Sequence, residues 1–164
     1  LSDCGYRFVQ EAARLGMLLD VSHMSEASFW DLLSVHRHPV IASHSNIYEV
    51  CPHPRNLRKE QVEAIFAGGG CIGLSFVGEF VSKRPTASID DLLRHVERCF
   101  EWGGVEQTAF GSDFDGSDRL LNDIEHAGHW HRLVEALLKN YKEEEVKGLL
   151  GENWLRLFRR YFSA

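Results

Sequence analysis

The chain lacks several features that mark specialised protein classes. Among its 164 residues there are only four cysteines and no CxxC pair, which argues against a zinc ribbon or a dithiol redox motif. No apolar run approaches the roughly 20 residues of a membrane span, and no cationic, apolar leader is present. The formal net charge is -6, so the basic face that nucleic-acid binding requires is missing.

The cysteines are widely spaced along the chain, at positions 4, 51, 71 and 99. We interpret them as reduced thiols that fill apolar sites, and one disulfide in a secreted protein stays open as the alternative. The compartment is therefore unknown, with a cytoplasmic location favoured. The composition, 44% hydrophobic and 26% charged, is typical of a globular protein with one core.

Short apolar runs alternate with helical patterns along the chain. Gly and Pro punctuate the alternation, which predicts parallel strands joined by right-handed crossover helices. An α/β fold follows, either an open doubly wound sheet or part of a (β/α)8 barrel. In the helix capped by Ser25, we expect Ala27, Trp30 and Leu33, with the nearby Phe29, to face inward. The predicted strands are 17–21, 40–42, 71–76 and 108–111; the predicted helices are 3–15, 25–35, 59–67, 88–102 and three more within 129–161.

Polar side chains follow three of these strands at the point where each strand ends. His23 follows MLLDVS, His44 follows PVIAS, and Asp113 and Asp115 close TAFGSDFDG. Carboxyl ends of parallel strands share one edge of a sheet, and neighbouring strands are about 5 Å apart, so two imidazoles could reach one metal. Asp113 is placed to be a ligand or proton carrier, whereas Asp115 fits a turn.

Arg55 lies in the loop CPHPRN, where two prolines stiffen the backbone before it. A fixed guanidinium can hold a carboxylate through two parallel hydrogen bonds, although a solvated loop Arg is the simpler alternative. The remaining histidines lack the His-Glu-x-x-His spacing of a helical metal site. We interpret these as structural or surface residues: His36, His38, His53, His95, His126, His129 and His131.

Several motifs together resemble one enzyme family. RLGMLLDVSHMS, PVIASHSN, CPHPRNL, the GCIGLSF strand and GSDFDG, in this order, resemble the C-terminal half of the membrane dipeptidase (renal dipeptidase) family of zinc peptidases. The tail LLGENWLRLFRR is similar to that family's last helix, and the likeness covers nearly the whole chain.

The resemblance implies a (β/α)8 barrel with two zinc ions that hydrolyses dipeptides, including those with a C-terminal D-residue, by a metal-activated water. By that match His23 and His44 are metal ligands, Arg55 binds the substrate carboxylate, and Asp113 is a catalytic residue that also contacts the substrate. The expected partner is a dipeptide, with no nucleic acid and no membrane span in this segment.

Departures from the family pattern set expectations about the chain itself. No segment matches the family's first-strand His-x-Asp pair or its metal-bridging Glu. Four strands are half of eight, and a complete barrel usually needs around 250 residues. We therefore expect residues 1–164 to be a single partial domain, the C-terminal half of a metal-dependent hydrolase barrel.

A half barrel leaves two strand edges unpaired, and exposed edges favour association. We expect the isolated chain to bind zinc weakly and to be inactive or weakly active until the other half or a homodimer closes the sheet. Two alternatives stay open: another amidohydrolase-like metal hydrolase that acts on non-peptide amides, and a catalytically inactive interaction module on the same scaffold.

Overall fold

The computed structural model describes residues 1–162, in which four short strands alternate with helices. The strands are β1 (Leu19–Asp20), β2 (Val40–Ala42), β3 (Cys71–Leu74) and β4 (Thr108–Phe110). The helices are α1 (Asp3–Arg14), α2 (Glu26–Val35), α3 (Lys59–Ala67), α4 (Gly78–Val81), α5 (Ile89–Glu101), α6 (Trp130–Asn140), α7 (Glu143–Lys147) and α8 (Asn153–Phe162). Two 3-10 turns, Phe114–Gly116 and Ala127–His129, and a π turn, Gly148–Glu152, complete the described elements.

The four strands form one parallel sheet in the order β1-β2-β3-β4. Asp20 pairs with Ile41, and Ile72 pairs with Thr108. A doubly wound sheet reverses its strand order at a switch point, and no reversal occurs among these strands, so the barrel-type alternative is favoured. The α/β prediction with four parallel strands is confirmed, and all four carboxyl ends lie along one edge.

The predicted helix starts are confirmed because their caps form as the sequence indicates. The Ser25 hydroxyl accepts a hydrogen bond from the Ser28 N–H at 3.2 Å, and the Ser88 hydroxyl accepts one from the Asp91 N–H at 3.3 Å. Each satisfies a backbone donor that the first helical turn leaves free. These caps fix where α2 and α5 begin after the strand-end loops.

The predicted inward face of α2 is partly wrong. Phe29 and Leu32 are the buried side chains, whereas Ala27 is exposed and Trp30 is 40% exposed. Apolar residues occur on several sides of this helix, so their spacing alone could not select the buried face. The first strand is also shorter than predicted, since it spans Leu19–Asp20 and not 17–21.

The core lies between the sheet and its crossover helices. Val62 and Ile65 of α3 and Leu92 and Val96 of α5 are fully buried, as is Ile72 of β3. Burying a large aliphatic side chain contributes about 1.5–3 kcal/mol, so this layer holds the strands in register. Within residues 1–162, no helix combines the length and the apolarity needed to cross a bilayer.

Helix α8 crosses the amino-terminal end of the sheet. The Asn153 amide donates to the Val105 and Thr108 carbonyls at 2.8 and 2.7 Å, and the Tyr161 hydroxyl donates to the Met17 carbonyl at 3.0 Å. The helix thus connects the two outer strands at one end. The opposite end, where the strands finish, stays open.

Candidate metal and substrate site

Two histidines meet at the open end of the sheet. His23 follows β1, His44 follows β2, and their Nε2 atoms lie 2.8 Å apart. Two nitrogens that bind one tetrahedral zinc at about 2.0–2.1 Å lie roughly 3.3 Å apart. A shift of a few tenths of an ångström would therefore let both rings bind one ion, and the side chains fit that role as a pair.

A hydrogen-bonded chain orients the His44 ring. The Ser43 hydroxyl lies 2.7 Å from His44 Nδ1 and donates to a carboxylate oxygen of Asp20. Because that hydroxyl gives its proton to Asp20, it accepts one from Nδ1–H, which leaves Nε2 unprotonated and able to act as a metal ligand. A fixed tautomer of this kind is what a metal-binding histidine requires.

His23 and Asp113 share an unusual backbone conformation. Among the described residues 1–162 they are the two non-glycine residues with positive φ, 70° and 60° respectively. The left-handed region is sparsely populated by such residues and costs of order 1–3 kcal/mol each. Strain of this kind is often retained at functional sites, so it supports a role for both residues.

Glycine is required where the strand ends approach one another. A Cβ placed on Gly111 would collide with the Ser43 carbonyl oxygen, and a Cβ on Gly73 would meet the same oxygen. Ser43 directly precedes His44 in the sequence. The glycines therefore allow the backbone that carries His44 to lie against β3 and the end of β4.

The Arg55 side chain has a buried donor, Nε–H, that is not hydrogen-bonded. Its Nε has no hydrogen-bond partner within the described chain, and its guanidinium carbon lies 5.5 Å from the centre of the Phe80 ring. Burial lowers the pKa of Arg55, and nearby Asp113 and Asp20 oppose that effect. Arg55 is half-buried, and its buried Nε still lacks an acceptor, so this position suits an anionic ligand that can accept from the guanidinium.

The Arg55 loop is fixed to α4 and α5 by buried polar groups. The Asn56 amide donates to the Cys51 carbonyl at 2.8 Å and to the Phe80 carbonyl at 2.7 Å. His95 of α5 accepts from the Ile47 N–H at 3.0 Å. These bonds hold the loop beside α4, where the Arg55 guanidinium lies over the Phe80 ring.

Three of the four predicted site residues line one pocket of about 210 Å³. They are His23, Arg55 and Asp113. The other residues of this pocket, here called the inner pocket, are Val77, Glu79, Phe80, Gly116 and Ser117. Partial burial and the charge of Arg55 lower the pKa of His23, even though much of the residue is exposed. The neutral ring that results is the form that binds metals.

The described chain supplies only part of a metal site. Within residues 1–162 no group of three or more His, Cys, Asp or Glu side chains is arranged to hold an ion. His44 joins His23 beside the inner pocket, and Asp113 lines it, but they do not form a three-ligand cluster. Zinc takes four ligands, of which three are protein side chains in catalytic sites.

Except for His53, which lines a second pocket with His23 and Arg55, the other histidines lie apart from this pair. His126 and His131 are exposed and His129 is half-buried, and each bonds to nearby backbone. His95 is fully buried, with its Nε2 3.0 Å from the Val81 carbonyl. His36 is buried as well, and its two ring nitrogens have no partner among the described atoms.

Sequence reasoning missed the supporting residues of the site. Asp20 and Ser43 orient His44, and Phe80 lies beneath Arg55. The signal for Asp20 and Ser43 was their position at strand ends, beside the predicted ligands. Phe80 gave no signal, because its contact depends on how α4 packs against a loop 25 residues earlier in the chain.

A family model described as membrane dipeptidase (peptidase family M19) matches residues 1–162. The chain belongs to the membrane dipeptidase family. The predicted family resemblance is thereby confirmed over almost the whole sequence.

Solved structures of this family superpose closely on the chain. A dipeptidase of metallopeptidase family M19 is 32% identical, with a TM-score of 0.94 over 100% of this chain and 50% of its own. A Rhodobacter sphaeroides metallopeptidase, solved with a phosphinate mimic of the dipeptide L-Ala-D-Ala, is 31% identical, with a TM-score of 0.93 over 98% of this chain and 47% of its own. A Pseudomonas aeruginosa amidohydrolase is 26% identical, with a TM-score of 0.89 over 100% of this chain and 58% of its own.

These superpositions confirm the predicted architecture, four parallel strands of a (β/α)8-type barrel. The chain spans about half the length of the solved relatives that it matches. Its described residues contain four strands.

Proposed function

We propose that this chain forms one side of the active site of a zinc-dependent dipeptidase. The observation that carries the proposal is the arrangement around the inner pocket, where His23 meets His44 and both Arg55 and Asp113 line the same space. Two histidine nitrogens that can bind a metal lie beside the Arg55 guanidinium. This arrangement suits a small substrate that carries a carboxylate next to an amide.

The chain's own residues would divide the work of peptide hydrolysis. Zinc, when bound, would activate water and polarise the peptide carbonyl. His23 and His44 would supply two nitrogen ligands, with the His44 ring held by Ser43. Substrates with a C-terminal D-residue are included, which is supported by the L-Ala-D-Ala mimic bound to a relative that is 31% identical.

Arg55 would bind the terminal carboxylate of the substrate. This contact, here called the carboxylate clamp, would fix the distance from the guanidinium to the scissile bond. Its unpartnered Nε and the guanidinium over Phe80 leave hydrogen-bond donors available to such an anion. As the C–N bond breaks, the hydroxyl of water stays on the acyl carbon. Asp113 would carry the proton to the departing nitrogen, which becomes the free amine.

We also propose that residues 1–164 need a partner surface for full activity. Two nitrogen ligands hold zinc less firmly than three or four, and β1 and β4 are outer strands within the described sheet. The complement would be the part of the barrel that the longer relatives contain, or a second copy of the chain. Alone, the chain should bind zinc weakly and hydrolyse little.

A second candidate is an amidohydrolase that acts on non-peptide amides, which the likeness to the Pseudomonas aeruginosa amidohydrolase supports. Arg55 separates the two, because only a substrate with a carboxylate near the scissile bond needs it. In the protein that carries this chain, Arg55→Ala should raise KM for dipeptides roughly 10- to 100-fold, as expected for losing charged hydrogen bonds.

The matched variants are Arg55→Lys and Arg14→Ala. Lysine keeps the charge without the paired donors, so an intermediate KM is expected. Arg14 is exposed, bonds to Glu11 and does not line the inner pocket, so its removal should leave KM within twofold of wild type. An unchanged KM in Arg55→Ala, with dipeptides still hydrolysed, would refute the clamp.

Metal content tests the catalytic proposal itself. His23→Ala and His44→Ala should each lower bound zinc, measured by elemental analysis after dialysis, while His131→Ala should not. If the protein retains no zinc and the two variants behave like wild type, an interaction module on this scaffold becomes the better explanation.

A further inference from the structure

A second, larger cavity adjoins the inner pocket. It measures about 760 Å³ and lies between the α4 segment and the loop that follows Gly116. Glu79 and Ser117 line both spaces, so they lie at the boundary between them. We call this cavity the outer chamber; its remaining lining residues are His53, Gly78, Ser82, Lys83, Arg84, Pro85, Thr86, Ala87, Asp118, Arg119, Leu120, Asn122 and Glu125.

The outer chamber is polar and carries charges of both signs. Arg84 is already engaged with Asp91 at 3.4 Å. Glu79 forms no ion pair within residues 1–162, and it is the acidic residue that borders both spaces. Lys83 and Arg119 line the chamber but not the inner pocket.

The direction of a bound dipeptide follows from the proposed function, on which this inference rests. With the carboxylate at Arg55 and the amide nitrogen facing Asp113, the Cα of the C-terminal residue lies between these two groups. Its side chain then has the rest of the inner pocket available, including Glu79 and Ser117. A long side chain at that position would pass between them into the outer chamber.

We infer that Glu79 selects dipeptides by the charge of their C-terminal side chain. A lysine or arginine side chain would bring its cation to the carboxylate at this boundary, whereas a glutamate side chain would bring like charges together. Glu79 is exposed, so solvent screens the interaction and the expected preference is only about threefold. The chamber is large enough to receive the distal part of such a side chain.

The test compares glycyl-lysine, glycyl-glutamate and the neutral glycyl-glutamine on the protein that carries this chain. The measured quantity is the ratio of kcat/KM for the lysine and glutamate substrates. Glu79→Gln should lower this ratio about threefold and Glu79→Lys about tenfold, since reversal replaces attraction by repulsion. The wild-type ratio should also fall in about 0.5 M salt, because the Debye length is then only a few ångströms and the Glu79 charge is screened.

Glu135→Gln is the matched control. It removes the same charge from an exposed position on α6 that lines neither space, so the ratio should stay at the wild-type value. If glycyl-glutamine is hydrolysed in an Arg55-dependent way but the ratio is the same in Glu79→Gln and wild type, the role of Glu79 is overturned and the dipeptidase proposal stands. If no dipeptide is hydrolysed, both proposals fall.

Discussion

Acid should weaken this fold through one buried histidine. His95 is fully buried in α5 and joins two segments that shape the inner pocket. Its Nδ1 accepts from the Ile47 N–H at 3.0 Å, so Nε2 carries the proton and donates to the Val81 carbonyl at 3.0 Å. The bond from Ile47 requires the neutral ring, because a protonated Nδ1 would face a donor.

Burial lowers the pKa of His95 from 6.5 to about 4. Below pH 6.5 the unfolded chain takes up a proton that the folded chain excludes, so the free energy of unfolding falls as pH falls and is restored above 6.5. Each tenfold change in proton affinity is worth about 1.4 kcal/mol. The full loss, reached near pH 4, is therefore roughly 3 kcal/mol.

The measurement is urea unfolding of the protein that carries this chain, followed between pH 7.5 and 4.5. A His95→Gln variant keeps an acceptor and a donor but cannot titrate. From pH 7.5 to 4.5, its free energy of unfolding should therefore fall by about 2.5 kcal/mol less than that of wild type. His131→Gln, at an exposed position, should follow the wild-type curve. Independently, NMR titration should show the His95 ring still neutral at pH 5.5.

Equal pH dependence of wild type and His95→Gln would refute the reasoning, as would a ring that protonates near pH 6.5. Burial also lowers the pKa of His36, which adds acid sensitivity of the same sign. The comparison between variants removes that contribution, because both keep His36. A loss of dipeptide binding that parallels the unfolding would connect this histidine to the Arg55 loop.

Three further changes test how the site and the fold are built. Ser43→Ala removes the hydroxyl that orients the neighbouring histidine ring, so zinc affinity measured by calorimetry should fall about 10- to 100-fold; Ser34→Ala, whose hydroxyl bonds within its own helix, should change nothing. Gly111→Ala would place a Cβ against a backbone carbonyl, so we expect lower zinc affinity and a lower melting temperature. Asn153→Ala breaks two hydrogen bonds from α8 to β4 and the loop before it, so the free energy of unfolding in urea should fall by about 2–3 kcal/mol. Asn140 lies at the exposed end of a helix, so Asn140→Ala should lower it by less than about 1 kcal/mol. A stable, zinc-binding Gly111→Ala variant would contradict the close approach that we describe.

Local signals predicted most of the secondary structure. Ser25 and Ser88 cap helices because their hydroxyls accept backbone N–H bonds within one turn, a contact that needs no tertiary partner. Strand–helix alternation predicted the parallel sheet because parallel neighbours require a crossover. The inward face of α2 was partly wrong, since Trp30 and Phe29 are both apolar and only the sheet decides which of them is buried.

The site divides in the same way. The sequence by itself determined that histidines end two neighbouring strands, that Asp113 ends a third and that Arg55 follows a stiff loop, because each depends on residues adjacent in the chain. Only the tertiary structure decided that the two Nε2 atoms lie 2.8 Å apart, that the Arg55 guanidinium lies over Phe80, and that Glu79 borders two cavities. Those relations join segments far apart in the chain, and they depend on strand register and on helix packing, which no local pattern encodes.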